Sequence, residues 1–333
     1  MPRSILAHAL AAAILVIAGA VPYRASADAA PSVSIDVATG SVPLDEDDRA
    51  KTRIGRLVYR IGFVLASNEG RFGGWSDLAI SADGARLLAI SDRGTWLSAR
   101  LSHDDAGTLA RLDDVRLGAL RDQTGHPLKG LAGDAEGLAT TADGALFVSF
   151  ERRHRIWWYP PADPPFSEPP RPLPMPGGLD DAPANGGIEA LVPLPGGRLF
   201  ALAEAFYQGK ANVGWVGDGQ RWQRLTYQAG PDFKPTAMTR LPDGDVLVLE
   251  RRFTQTGLPG VRIVRLPVAD IRPGARLKGE ELALIEPPLT IDNFEGIAAR
   301  TGPRGETLVY LLSDDNFFFL QRTLLLQFEL LGD

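Results

Sequence analysis

Acidic residues recur in this chain at the start of short apolar segments, separated by similar intervals. Asp77, Glu136, Glu189 and Glu295 occupy this position, and a variant without the acid surrounds Thr236. The intervals between successive acids are close to one length or to twice that length. Carboxylates placed at one point of each repeat are typical of sites that bind hard cations or transfer protons. The repeated acid is therefore the first candidate for chemistry.

A second acid follows three of these residues after one tight turn, at Asp92, Glu151 and Glu204. Because antiparallel strands that share a turn bring their far ends to the same level, we expect the two acids of each hairpin about 5 Å apart. If the first strands surround one axis, all the pairs meet at one face. Asp77 and Glu204 are the predicted general bases, since a carboxylate that holds no metal is free to accept a proton.

Several carboxylates that converge repel one another unless their pKa values rise or a cation lies among them. A site made of oxygen ligands favours a hard divalent cation, above all calcium. The chain has no cysteine and four histidines, so we expect no thiolate or histidine-rich metal site. The alternative is that the acids cap turns or pair with neighbouring arginines. The predicted metal ligands are Glu136, Glu189, Glu295, Asp314 and Asp315.

Basic residues follow the second segment of several hairpins and are expected on the same face as the acids. Arg93, Arg152 and Arg252 are the predicted anion ligands, and Lys234 lies where the repeated acid is missing. Arginine forks suit the oxygens of phosphate and carboxylate groups. Carboxylates, a cation and arginines on one face fit the hydrolysis of a small anionic ester. The alternative is a solvated charged rim.

The elements that would position these residues are β-hairpins. Asp-Gly and Gly-Gly turns between apolar runs are the strongest short-range hairpin signals. Repeats of this length, each built from four strands, predict an all-β fold with a single six-bladed β-propeller and four-stranded antiparallel blades. We assign the unmatched segments 56–65 and 323–330 to the sixth blade, which closes the ring. A pair of β-sandwiches is the alternative, but it does not explain the recurring acid. The turns are Asp83-Gly84, Asp143-Gly144, Gly196-Gly197, Asp243-Gly244 and Pro303-Arg304-Gly305.

The N-terminal residues predict export. Residues 1–27 resemble a signal peptide, with Arg3, an apolar run and the small residues Ala25, Ser26 and Ala27 before the cleavage point. A retained anchor is the alternative. Residues 28–54 are an N-terminal extension and residues 55–331 the propeller domain.

The remaining expectations concern location and partners. We expect a periplasmic or secreted protein without an integral membrane span in the mature chain, and a monomer. The formal net charge of −6 argues against nucleic acid as a partner, because nucleic acid attracts an excess of Lys and Arg. The expected partner is a small anionic substrate.

Three stretches resemble the phytase-like domain family of exported bacterial proteins. They are residues 134–138 (DAEGL), 292–297 (DNFEGI) and 313–326, which begins SDDNF and ends LQRTLLL. The resemblance extends over about residues 55 to 330. It implies a β-propeller, export and an esterase-like activity on phosphate or related esters. The chain lacks the D-A-D-D-P-A-x-W and N-N-x-D-x-R motifs of established β-propeller phytases. The Glu-Gly phrases also resemble calcium-dependent lactonase propellers.

Three hypotheses follow for the function. The leading one is an exported propeller that hydrolyses phosphate or related esters with the help of calcium. The second is a non-catalytic propeller that binds a ligand or a partner protein and uses the acids structurally. The third is a lactonase-type hydrolase with the same metal.

Overall fold

The computed structural model describes residues 32–252 and 258–332 of the chain, and its strands form five sheets around one axis. The innermost strand of each sheet packs against the innermost strands of the two neighbouring sheets, so that the five strands make a closed ring. The predicted all-β, single-propeller fold is confirmed. The predicted number of six blades is wrong, because the described residues form five.

The blades are numbered along the chain, and their strands are given from the axis outward. Blade 1 contains Trp75–Ile80, Arg86–Ser91, Thr95–His103 and Leu109–Ala119. Blade 2 contains Ala135–Thr140, Leu146–Phe150, Arg155–Tyr159 and Arg171–Pro172. Blade 3 contains Ile188–Leu194, Arg198–Gln208, Ala211–Gly217 and Trp222–Tyr227. Blade 4 contains Lys234–Arg240, Val246–Arg252, Gly260–Leu266 and Glu280–Ile285. Blade 5 contains Asn293–Thr301, Thr307–Asp314, Thr323–Leu330 and Leu57–Ala66.

Short strands and turns complete the edges of the blades. Val33–Ser34 extends blade 1, Ala38–Ser41 extends blade 5, and Arg276–Leu277 adds a parallel edge to blade 3. Arg53–Ile54 pairs with the start of the outer strand of blade 5. The described part of the N-terminal extension thus lies against the first and last blades. The predicted signal peptide, residues 1–27, lies outside the described residues. Three 3₁₀ turns are Gly130–Ala132, Leu179–Asp181 and Val268–Asp270.

The error in blade number has a simple origin. A hairpin supplies only the two inner strands of a blade, so the fifth hairpin still needs two outer strands. The segment Thr323–Leu330 becomes the third strand of blade 5 and Leu57–Ala66 the fourth. The two segments assigned to a sixth blade therefore complete the fifth. Closure of the ring by strands from both ends of the propeller domain removes the exposed edge that an open sheet would have.

The hydrophobic core consists of five clusters, one between each pair of adjacent blades. Side chains from one face of each twisted sheet pack on the facing sheet, as alternation along a strand requires. The packed sheets therefore hold the five inner strands in place around the axis. No helix among residues 32–252 and 258–332 has the length and apolar character needed to cross a membrane.

Candidate functional site

Every innermost strand contains a β-bulge at the same level of the propeller. At this point the inner strand of each blade has one residue more than the second strand, and in a bulge the extra residue is left out of the ladder. Bulges commonly redirect a side chain next to a site. In blade 1 the bulge residue is Ser76. Asp77, which we expected to be equivalent to the glutamates, therefore lies one residue after the bulge. The bulge residues are Ser76, Glu136, Glu189, Thr236 and Glu295.

A second set of equivalent residues lies at the end of the second strand of each blade. In blades 1 to 3 the backbone N–H of this residue donates to a backbone carbonyl oxygen at the start of the inner strand. Glu151 N, for example, donates to Asp134 O at 2.9 Å. In blades 4 and 5 the corresponding pairs are Lys234 with Arg251 and Asn293 with Asp314. Four members are acids and the fifth is an arginine. The set is Asp92, Glu151, Glu204, Arg251 and Asp314.

Glu136 and Glu189 are carboxylates without a basic partner. Burial raises the pKa of both well above the ordinary value, and neighbouring carboxylates raise it further. Among these charges, Glu189 raises the pKa of Glu136 most, and Glu204 raises that of Glu189 most. Glu189 is 8% exposed, and in the described residues it makes no hydrogen bond or ion pair. An ionised carboxylate in such a place is costly unless it is protonated or meets a cation.

The bulge residues and the second-strand residues together form one end of the propeller, here called the acidic face. Arg251 is the cation at its centre. One guanidinium nitrogen, Nη1, lies 3.2 Å from Glu295 Oε1 and donates to Asn293 Oδ1 at 2.6 Å. The other, Nη2, donates to Glu204 Oε1 at 3.2 Å. Burial alone would lower the pKa of Arg251, but the charges of Glu295, Glu189 and Glu204 outweigh it and raise the pKa. Arg251 thus compensates part of the negative charge.

The sequence reasoning selected Arg252 as an anion ligand and missed the central role of Arg251. The structure places Arg252 at the side, where it pairs with Glu286 and stacks on Phe233. One signal could have found Arg251, since it stands in the strand where the other blades have Asp or Glu. Alternation along a strand sends neighbouring side chains to opposite sides, so Arg251 and Arg252 cannot share one role.

Asp77, one of the predicted bases, is completely buried below the bulge. Its Oδ1 accepts the N–H of Leu78 and its Oδ2 the N–H of Leu138, each at 2.8 Å. Burial raises the pKa of Asp77 well above its ordinary value, while these backbone donors act against the rise. The carboxyl group therefore links the inner strands of blades 1 and 2. This placement favours a structural role.

Glu204, the other predicted base, is engaged on both oxygens. Lys234 Nζ donates to Oε2 at 3.0 Å and Arg251 to Oε1. Lys234 therefore neutralises an acid of the same face and does not stand alone as an anion ligand. Both carboxylate oxygens of Glu204 are thus occupied by basic partners, which leaves neither free to contact a water or a substrate.

The two acids that follow blade 5 have different roles. Asp314 is buried, and burial together with the charge of Glu295 raises its pKa to about 8. Asp315 fixes a turn, with Oδ1 accepting the N–H of Gly74 at 3.0 Å and Oδ2 the hydroxyl of Thr323 at 3.0 Å. Asp314 thus joins the acidic face, whereas the contacts of Asp315 are those of a structural clamp.

The remaining predicted anion ligands each contact a different group. The guanidinium of Arg93 lies 3.2 Å from the centroid of the Phe317 ring. Arg152 Nε donates to Asp134 Oδ2 at 3.1 Å. Arg152 and Arg252 are thus paired with acids, whereas Arg93 lies over an aromatic ring.

Two acids of the face have pKa values near neutrality. Burial raises the pKa of Asp92 to about 6, with the charge of Asp134 contributing and that of Arg93 opposing. Burial raises the pKa of Glu151 to about 7, while the N–H of Gly187 donates to its Oε1 and acts in the other direction. A group that titrates in this range can accept and release a proton at physiological pH.

The spacing and the donor atoms of these residues bear on whether a metal ion fits among them. Within the described ranges, no three acidic or histidine side chains lie close enough together to form a metal site. The donor chemistry is nevertheless that of a hard cation, because Glu189 has no partner and the buried hydroxyl of Ser76 has none either. Both residues belong to the set of bulge positions. A bound cation would therefore require rotation of the carboxylate side chains toward one another.

Gly137, which follows the bulge of blade 2, is expected to be indispensable for the approach of blades 2 and 3. A Cβ at this position would lie 2.3 Å from Glu189 O, a backbone atom. Gly137→Ala should therefore lower the free energy of unfolding by about 1–3 kcal/mol, as overpacking does in a well-packed core. Thermal or urea unfolding measures the loss. The matched control is Gly177→Ala, where no atom lies within 4 Å, and an equal loss in both variants would contradict the account.

Comparisons with known proteins concern the family and the fold. Residues 70–317 match the Phytase-like family, described as "Esterase-like activity of phytase". No curated protein matches the chain significantly. A solved protein with a provisional gluconolactonase name is 13% identical, with 90% of this chain and 95% of that chain covered and a TM-score of 0.47. The PQQ-bound aldose sugar dehydrogenase from Streptomyces coelicolor is 14% identical, with 80% and 97% covered and a TM-score of 0.44.

These structural likenesses are too weak to carry an argument about activity. The family match spans well over half of the chain and includes the bulges of all five blades and the acids of blades 1, 2, 3 and 5. It agrees with the resemblance already found in residues 134–138, 292–297 and 313–317. The chain belongs to the Phytase-like family.

Proposed function

We propose that this protein hydrolyses phosphate or related esters with the help of a divalent cation, calcium, held at the acidic face of the propeller. The family description supports ester hydrolysis in general terms. The residues proposed to hold the cation are Glu136, Glu189 and Glu295, with Asp314 beside them. Export to the periplasm or the medium is part of the proposal and depends on residues 1–27.

The observation that carries the proposal is the pair Glu136 and Glu189. Glu189 is buried and Glu136 half-buried, both beside other acids, and their raised pKa values mean that the charged form lacks compensation. Arg251 compensates Glu204 and Glu295 but makes no hydrogen bond to either member of the pair. A divalent cation would supply the missing positive charge.

The remaining free oxygens support the choice of ligands. Glu295 uses Oε1 for both Arg251 and Asn293, which leaves Oε2 available. The hydroxyl of Ser76 at the equivalent bulge of blade 1 has no partner. A cation bound here would polarise the ester and lower the pKa of an attacking water. Arg251 would bind a negatively charged oxygen of the substrate, at the same place where it now contacts Glu295.

We propose Asp92 as the general base, in preference to Asp77 and Glu204. Asp92 is partly exposed at the rim of the acidic face, and its pKa of about 6 suits a group that accepts a proton near neutral pH. Asp77 has no exposed surface, and both oxygens of Glu204 are engaged by cations. Glu151 has a similar pKa but is almost completely buried.

The test is a hydrolysis screen of the purified protein with p-nitrophenyl phosphate, bis-p-nitrophenyl phosphate and simple lactones. We expect turnover of at least one substrate with added calcium and none in excess chelator. In the double variant Glu136→Gln/Glu189→Gln the rate of hydrolysis should fall by at least about a hundredfold. This is the usual effect of removing a group that stabilises the transition state. The exposed Glu168→Gln is the matched control and should keep full activity.

Each substrate class separates one hypothesis from the others. Turnover of lactones alone would assign a lactonase-type hydrolase with the same site. Absence of turnover with every substrate and several divalent ions would reject an enzyme and favour a binding propeller. Full activity of Glu136→Gln/Glu189→Gln would reject the proposed site while leaving the family assignment intact.

A further inference from the structure

A large cavity lies between blades 3 and 4 and opens beside the acidic face. Its volume is about 1010 Å³, and its lining includes Glu204, Lys234 and Arg251 at the axial side. Lys278 lines it on the outer side, next to the outermost strand of blade 4. The cavity is therefore a groove that leads from the edge of the propeller to the centre.

The charge of the groove differs between its two ends. It contains five basic side chains and three acidic ones. Glu204 is paired with Lys234 and Arg251, and Glu250 with Arg262. The axial end also faces the acids Glu189 and Glu295, which act on Arg251. The basic side chains are Lys210, Lys234, Arg251, Arg262 and Lys278, and the acidic ones are Glu204, Asp232 and Glu250.

Lys210 and Lys278 are the basic residues that remain available. Both are exposed, and in the described part of the chain neither makes an ion pair or a hydrogen bond. Lys210 lies in the turn between the second and third strands of blade 3, and Lys278 lies beyond the edge of the same blade. Lys210 and Lys278 thus outnumber Asp232, the exposed acid of the lining that makes no ion pair in the described residues, whereas acids outnumber bases at the axial end.

One aromatic side chain of the lining is exposed. Tyr207 is 46% exposed, whereas Tyr227 and Phe233 are buried at 0% and 8%. Exposed aromatic surface offers a face against which a ring can stack. A ligand that fills the groove would therefore meet acids at the axial end, and lysines with the ring of Tyr207 elsewhere in the groove.

We propose that this groove selects ester substrates with a negatively charged group several bonds away from the ester, and that Lys210 and Lys278 bind that distal group. The position of the ester rests on the proposed function, whereas binding of an anion to the lysines does not. The charge gradient orients the substrate, because the acidic face repels an anion and the outer lysines attract it. The ester then lies beside the acids and Arg251.

The test measures binding separately from hydrolysis. The probe is 1,3-benzenedisulfonate, which carries two anionic groups on one ring and contains no bond for the protein to hydrolyse. Isothermal titration calorimetry gives its affinity for the wild type and for Lys210→Glu/Lys278→Glu. We expect the variant to bind about tenfold more weakly, which corresponds to about 1.4 kcal/mol. Increasing salt should weaken binding to the wild type, since exposed charges are screened.

The matched control is Arg86→Glu/Arg240→Glu, which changes the net charge equally at exposed positions on the opposite face of the propeller. Wild-type affinity in the control, together with weaker binding by the lysine variant, would support anion binding by Lys210 and Lys278. Equal affinity in all three proteins, or no binding by the wild type, would overturn it. The hydrolysis screen of the same proteins tests the proposed function independently, because anion binding can persist without turnover.

Discussion

The metal-free protein is expected to become less stable as the pH rises from about 5 to about 8. Burial raises the pKa of Asp92 to about 6, of Glu151 to about 7 and of Asp314 to about 8. The pKa values of Glu136 and Glu189 are also raised. Carboxylates whose pKa is lowered by a basic partner, such as Asp113, contribute with the opposite sign, so the sign is diagnostic.

The sign follows from proton binding. A carboxyl group whose pKa is higher in the folded state binds more protons there than in the unfolded chain, between the two pKa values. The contribution of such a group to the free energy of unfolding is therefore complete below its ordinary pKa. It decreases as the pH rises through the pKa of the folded state. The combined loss should be on the order of 5 kcal/mol, since one pKa unit corresponds to about 1.4 kcal/mol and the groups interact. His103, whose pKa is lowered mainly by burial, acts in the opposite direction.

Urea unfolding with excess chelator at several pH values measures this slope. Glu151→Gln/Asp314→Asn should flatten it and raise stability near pH 8, because the amide oxygens can still accept from Gly187 and Asn316 without carrying charge. Asp113→Asn is the control, since Asp113 pairs with Arg111 and has a lowered pKa. Unchanged or rising stability over this range in the wild type would contradict the account of uncompensated acids.

Replacement of Arg251 is expected to be the most damaging single change at the site. Arg251→Met would leave Glu204 with Lys234 alone and Glu295 without a basic partner. Breaking a buried ion pair by removing one partner costs about 3–5 kcal/mol, because the remaining charge stays buried. The loss should be largest near pH 8 and smaller near pH 5, where the acids can take up protons. Chemical denaturation measures both values.

The neighbouring arginine provides the matched control. Arg252→Met removes the same charge from the same strand. The two arginine side chains are similarly exposed, at 19% and 23%, but Glu286 is 35% exposed whereas Glu204 and Glu295 are 6% and 14% exposed. Water reaches Glu286, so the loss of its partner should cost little more than the about 0–1 kcal/mol of a surface ion pair. Equal losses for the two variants would show that the charge of Arg251 has no special role. Arg251→Lys separates charge from geometry, because lysine keeps the charge but cannot contact both glutamates through two nitrogens.

The sequence was sufficient for the fold class and for the gathering of the recurring acids on one face of the propeller. The Asp-Gly and Gly-Gly turns lie between the first and second strands of blades 1 to 4, as hairpin chemistry requires. The number of blades was not accessible in this way. Segments 56–65 and 323–330 carry no hairpin turn of their own, and only long-range pairing shows that they share blade 5.

The details of the site depended on features that spacing does not reveal. A bulge shifts the register by one residue, so Asp77 appeared equivalent to Glu136 although Ser76 is. Arg251, by contrast, follows Thr236 at the interval that separates Glu136 from Glu151, so it was within reach of the spacing and was passed over for its neighbour Arg252. The groove between blades 3 and 4 joins Lys210 to Lys278, which are far apart in sequence. Such contacts arise from the packing of blades and have no local signature.

Direct titration of calcium into the metal-free protein tests the central claim, which is that the bulge carboxylates hold a divalent cation. Isothermal titration calorimetry near pH 8 should show binding to the wild type and to Glu168→Gln, with loss of binding in Glu136→Gln/Glu189→Gln. Binding should also weaken as the pH falls, because protons and calcium compete for the same carboxylates. The absence of calcium binding by the wild type, or equal binding by Glu136→Gln/Glu189→Gln, would contradict the account.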